Sequence, residues 1–151
     1  MRKIAFLFCL FIAFSATAQK GGFKNLTEKN GKIGIGTNSP DELLTVKGII
    51  HAQEVKVDLN GAVAPDYVFE KYFTGYSQSL PDYEIISLEA LEAFLQENNH
   101  LPNAPSAKEM EENGIDLKKM NLLLLQKIEE LTIYTLQQQK EIEKLKEKVF
   151  E

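Results

Sequence analysis

The chain has 151 residues, and 17 Lys+Arg against 22 Asp+Glu leave it at net −5 at pH 7. That length bounds one small domain or a string of short modules. The acidic balance excludes the basic footprint of a nucleic-acid binder, and a single cysteine, Cys9, excludes a disulfide framework.

The N-terminus carries the targeting signal. Arg2 and Lys3 precede an apolar run from Ile4 to Phe14, followed by Ser15-Ala16-Thr17-Ala18 with small residues where a signal peptidase reads. The run is shorter than the roughly 20 residues of a spanning helix, so residues 1–18 read as a secretory signal peptide with cleavage expected after Ala18. Phe8 precedes Cys9 where a lipoprotein needs a small residue, so lipidation is not expected. Removing residues 1–18 removes both Cys9 and Arg2, the sole arginine. The exported chain then offers no thiol chemistry and no arginine fork for bases or phosphates. Its expected destination is extracellular, the cell surface or the periplasm, with no membrane span after cleavage.

Residues 19–31 are polar and glycine-containing and read as a flexible lead-in. Period-two alternation follows in residues 32–66: Ile33 and Ile35, Leu44 and Val46, Ile50 and Ala52, then Val55, Val57 and Leu59. Alternation predicts short strands, with a break in phase between Ala52 and Val55. "TNSPDE" and "NGAVAPD" supply the turns. So few strands do not readily close a core of their own.

Residues 67–116 read as an aromatic connector followed by two short helices. Tyr67 to Pro81 supplies Tyr67, Phe69, Tyr72, Phe73 and Tyr76 for packing. From Ser87, a stripe of Leu88, Leu91, Phe94 and Leu95 predicts a helix that Asn98-Asn99 and Pro102 end. Ser106 and Glu109 form an S-x-x-E capping box opening the second helix, which Asn113-Gly114 stops.

Residues 117–151 carry the strongest pattern. Leu117, Asn121, Leu124, Ile128, Leu131, Thr135, Gln138, Ile142, Leu145 and Val149 follow a 4-3 spacing throughout. With Leu124 at d, Asn121, Ile128, Thr135, Ile142 and Val149 occupy a. Leu117, Leu131, Gln138 and Leu145 share d. Such a seam predicts a coiled-coil helix roughly 50 Å long, and so long a stripe needs a partner helix. The simplest source is another copy of the chain. Leu122, Leu125, Ile133 and Leu136 widen the stripe and are expected to pack the short helices against it. Ile at a with Leu at d would by itself favour a dimer.

The remaining motifs read as structure. His100 has no neighbouring cysteine or histidine, and a metal site needs three or four converging ligands. Pro102 and Pro105 match P-x-x-P but serve better as the end of one helix and the approach to the next. Gly34-x-Gly36 lacks the third glycine and the following helix of a dinucleotide site. Asn25-Leu26-Thr27 matches a glycosylation acceptor by chance in a bacterial-type chain. "KEIEKLKEKVFE" is a solvated helix surface. No G-x-S-x-G, H-E-x-x-H or cysteine–histidine pair is present, so no catalytic, cofactor-binding or metal residues are expected.

The order of these pieces resembles a known module. "NGKIGIGTNSPDELLTVKGIIHAQEVKVDL", "DYVFE" and "SLEALEAFLQENNHLPNAPSAKEMEENGIDLKKMNLLLLQKIEELTIY" together resemble the C-terminal module of bacterial tail-fibre-like secreted proteins, over residues 30 to 140. "HLPxxPSAxEM" is the specific string; "GIGT" is weaker. The resemblance implies an α+β chain with a β-strand stalk, two short helices and a coiled-coil tip, intertwined as a homotrimer. It implies a structural or adhesive surface protein, with itself as partner and a surface or extracellular ligand of unknown identity. The layout is also similar to the intramolecular chaperone domains of phage tail spikes, which gives the alternative of a trimerisation module assisting fibre folding. Those domains release themselves through an "S-D-x-R-L-K"-like segment that this chain lacks, so self-cleavage is not expected.

Overall fold

A computed structural model describes residues 23–150, so the signal peptide read at residues 1–18 lies outside the described residues. The chain is α+β. Its described elements are β1 (Leu26–Lys29), β2 (Lys32–Ile35), β3 (Leu44–Val46), α1 (Tyr67–Thr74), α2 (Leu88–Asn98), α3 (Ala107–Asn113) and α4 (Leu117–Phe150). They divide into two units, up to residue 55 and from residue 56.

The first unit is a three-stranded sheet in the order β1-β2-β3. β1 falls inside the stretch read as flexible lead-in. Asn30 and Gly31 both take positive φ, 55° and 75°, as a two-residue hairpin turn of the I′ kind requires. The turn pairs β1 antiparallel with β2, from Leu26 opposite Ile35 to Lys29 opposite Lys32. β3 then pairs parallel to β2, Ile33 opposite Leu44 and Ile35 opposite Val46. Residues 36–43 make this connection without the helical crossover that parallel strands usually need. Thr45 holds the loop: its hydroxyl donates to Asp41 Oδ1 at 2.6 Å and accepts the N–H groups of Asp41 and Glu42, both at 3.1 Å. That hydroxyl is the main reason the Asp41 carboxyl sits below its ordinary pKa.

The same loop explains the glycines of "GIGT". A Cβ on Gly34 would lie 2.5 Å from the Thr37 carbonyl oxygen. Gly36, at φ 73°, would put one 2.8 Å from that of Lys47. The backbone passes itself too closely for any side chain there. Leu26, Ile33, Ile35 and Leu44 stay exposed. The strands expected over Ile50–Ala52 and Val55–Leu59 do not form. A strand needs a neighbour to take its N–H and C=O groups, and none pairs there among the described residues.

The second unit is built on α4. Tyr67–Thr74, expected as connector, is a helix: buried Pro65 and exposed Asp66 lead in, and Gly75 at φ 79° closes it with its N–H on the Lys71 carbonyl. The proline-in, glycine-out punctuation was present in the sequence, but the β-prone Tyr, Val and Phe content masked it. α2 starts where Ser87 Oγ accepts the Ala90 N–H at 3.2 Å and ends at Asn99 in the left-handed region. α3 opens on the expected capping box, Ser106 Oγ taking the Glu109 N–H at 3.3 Å and Glu109 Oε2 taking the Ser106 N–H at 2.8 Å. At the head of α4, Asp116 Oδ1 accepts the Lys119 N–H. The core gathers Tyr67, Val68, Tyr83 and Ile133, with Phe69, Tyr72 and Ile85 packed around it. Tyr67 and Tyr83 meet edge to face at 4.8 Å between centroids, a geometry that adds to their apolar burial.

Candidate functional site

α4 has two opposite faces with different surroundings. At 3.6 residues per turn, positions a and d of a heptad lie opposite f, with b and c flanking f. The buried residues of α4 are Gln126, Glu129, Glu130, Ile133 and Tyr134, which occupy f, b, c, f and g. This face carries α1 and the segment around Tyr83. Leu117, Asn121, Leu124, Ile128, Leu131, Thr135, Gln138, Ile142, Leu145 and Val149 are all exposed. The apolar members keep much of their surface in solvent, Ile128 at 60% and Leu131 at 64%. The structure therefore brings the ten seam residues onto one uncovered stripe. Within it, the Thr135 hydroxyl donates back to the Leu131 carbonyl at 2.9 Å.

The widening residues divide. Ile133 is fully buried, as expected of a residue that packs the helical layer onto α4. Leu125 and Leu136 are exposed and Leu122 is half-buried, so the layer is held largely by other groups. Those groups are polar. Tyr67 donates its hydroxyl to Gln126 Oε1 at 3.0 Å, Gln126 Nε2 donates to Glu130 Oε1 at 2.7 Å, and the Tyr83 hydroxyl donates to that oxygen at 2.9 Å. Lys127 Nζ binds Glu130 Oε2 at 2.8 Å, both side chains nearly buried. Tyr134 donates to the Ile86 carbonyl at 2.7 Å. Lys140 reaches Tyr72, its ammonium 5.5 Å from the ring centroid.

Burial drives the electrostatics of this clasp. The Tyr83 hydroxyl is pushed far above its ordinary pKa, first by burial and then by its bond to Glu130. Tyr67 and Tyr134 move the same way, first by burial and then by the Glu130 charge. Glu129 is raised by burial and secondarily by Asp66. These tyrosines are held neutral and bonded within the protein, so the network ties α1 and the chain around Tyr83 to α4. The heptad pattern assigned no packing role to Gln126, Glu129 and Glu130, which are polar and lie off the a and d positions. The available signal was the cluster of tyrosine hydroxyls upstream that need buried acceptors.

His100 Nδ1 lies 3.0 Å from the Leu101 carbonyl oxygen, and its ring meets Phe94 edge to face at 5.7 Å. A hollow of about 590 Å³ beside it is bordered by Glu109, Asp116 and Lys119. Glu109 and Asp116 both accept the backbone N–H groups that start helices, and Asp116 also pairs with Lys119 at 3.2 Å. These bonds hold both carboxyls below their ordinary pKa. Among the described residues no group of three or more His, Cys, Asp or Glu converges to hold a metal, and no helix is long and apolar enough to cross a membrane.

Compared with protein-family models, with curated proteins and with solved structures, the chain matches none.

Proposed function

We propose that this chain is an exported, non-enzymatic structural or adhesive surface protein that assembles with copies of itself through the seam of α4, as a coiled-coil homotrimer. One observation carries the reading: the heptad stripe from Leu117 to Val149 is exposed along its length while the opposite face of the same helix is covered by the chain's own layer. A helix with one face occupied and a second apolar face at coiled-coil spacing has the pattern of an assembly helix. Three copies around one axis leave each helical layer on the outside, where it does not obstruct the seam. The resemblance to tail-fibre-like modules favours three chains over two.

Light scattering coupled to size exclusion on residues 19–151 tests this. The expected mass is three times that of one chain, falling to a single chain when Ile128→Asp and Leu131→Asp place charge on the seam. A wild-type chain that stays monomeric at tens of micromolar overturns the reading.

A further inference from the structure

The sheet of the first unit has two unlike faces. Paired residues on adjacent strands share a face, and successive residues along a strand alternate. Thr27, Lys29, Lys32, Gly34 and Thr45 therefore lie on one face, and Leu26, Glu28, Ile33, Ile35, Leu44 and Val46 on the other. The chain's own loop, residues 36–43, covers the first. The Thr27 hydroxyl donates to Asn38 Oδ1 at 3.0 Å, the Lys32 ammonium donates to the Asp41 carbonyl, and Gly34 and Thr45 are buried.

The second face is bare. Even on the central strand, Ile33 and Ile35 are 42% and 41% exposed, and Leu44 beside them is 58% exposed. Glu28 is the charged residue of this face. Its carboxylate turns back to the hairpin and accepts the Gly31 N–H at 3.1 Å, which leaves the apolar surface uninterrupted. A sheet buries its apolar face against a second layer, and the first unit holds none among its described residues.

We propose that this face is a second self-association surface, on which the sheets of neighbouring copies pack through Leu26, Ile33, Ile35, Leu44 and Val46. The proposal rests on the self-assembly through α4 read above, which brings the copies together. The occupant follows from the tether. Lys118 Nζ, at the head of α4, donates to the Leu59 carbonyl at 3.3 Å. Residues 47–58, between Val46 and that anchor, form no helix or strand and let it span at most roughly 45 Å. Helices of a coil lie about 10 Å apart. In a parallel coil each sheet is thus confined with its copies at a concentration on the order of millimolar, and meets them ahead of any dissolved partner. The contact is face to face and exchanges no strands, because β2 already has a neighbour on each side within its own chain.

The exported chain contains no cysteine once residues 1–18 are gone, which allows a direct test on residues 19–151. Ile35→Cys puts a thiol on the bare face. Lys29→Cys puts one at an exposed position of the opposite face, on the same tether. Each oligomer is treated with a short bis-maleimide, and Ile35→Cys is expected to link between chains about tenfold faster than Lys29→Cys. Hydrogen exchange supplies a second reading that needs no cysteine. The N–H groups of Ile33 and Lys47 are bonded to the Leu43 and Ile35 carbonyls within the sheet. They are expected to exchange about tenfold faster in the monomer made by Ile128→Asp with Leu131→Asp than in the wild-type oligomer, although those substitutions lie in the other unit. A wild-type oligomer in which the two cysteines link equally, or Ile35→Cys not at all, overturns this proposal and leaves self-assembly standing. Should the cysteine variants fail to assemble, sheet N–H groups that exchange alike in oligomer and monomer overturn it in the same way. A monomeric wild type overturns both.

Discussion

Among the described residues, Glu129 Oε2 is the buried side-chain oxygen without a hydrogen-bond partner. Its carboxyl is raised above the ordinary range by burial, with Asp66 adding repulsion. A carboxyl raised in the folded state contributes full stability below about pH 4, where the unfolded chain is also protonated, and loses it as pH rises through the raised value. Glu129→Gln removes the charge and keeps the shape. The expected result in urea denaturation is a gain on the order of 1 kcal/mol at pH 7.5 and little change at pH 4. The tyrosines act at the other end of the scale. Tyr67, Tyr83 and Tyr134 are all raised above their ordinary pKa, so stability is expected to fall as pH climbs above about 10, where unfolded tyrosine ionises and folded tyrosine resists. Tyr83→Phe strips one donor from Glu130. It should cost about 1–2 kcal/mol at neutral pH and flatten part of that alkaline loss, as melts from pH 7 to 11 would record.

α4 has a covered face and an exposed heptad stripe, and its polar seam positions lie on the exposed one. Thr135 and Gln138 sit at consecutive a and d positions in an otherwise largely Ile and Leu run. Thr135 already satisfies its hydroxyl on the Leu131 carbonyl, so an interface burying it strands no donor. Gln138 has a larger amide to place. A polar layer of this kind lowers stability and fixes register. Thr135→Ile with Gln138→Leu is expected to raise the melting temperature and to broaden the distribution of oligomers seen by light scattering. A single trimer of lowered stability would show instead that the pair is a required part of the packed layer.

At the scale of the whole molecule, α4 supports the helical layer and, in the proposed assembly, the oligomer as well. Ile133, Gln126 and Glu130 supply the surface against which Tyr67, Val68 and Tyr83 are buried. A chain of residues 19–116 loses that surface along with the seam. It is expected to be monomeric and to melt without a cooperative transition, measured by circular dichroism and light scattering; a cooperative folded monomer would contradict this. Export with cleavage after Ala18 is the expectation read from residues 1–18: sequencing of the secreted protein should begin at Gln19, and a cytosolic form keeping Met1 would rule it out.

The sequence by itself determined the elements whose signals are local or periodic. The long helix follows from a spacing repeated over its whole length, α3 from the Ser106–Glu109 box, and the ends of α2 from Ser87 and Asn99, because caps and heptads are satisfied within a few residues. The hairpin turn at Asn30-Gly31 was legible too, though its polar surroundings read as lead-in. Tertiary structure decided the rest. Alternation at Ile50–Leu59 satisfied the strand pattern without becoming strand, since pattern does not supply a pairing neighbour. α1 formed against β-prone composition because Tyr67 and Val68 gain burial on α4. Which face of α4 is covered was not readable from its heptads: Gln126 and Glu130 are surface residues by type, and only the hydroxyls of Tyr67 and Tyr83, brought from about fifty residues away, make their burial affordable.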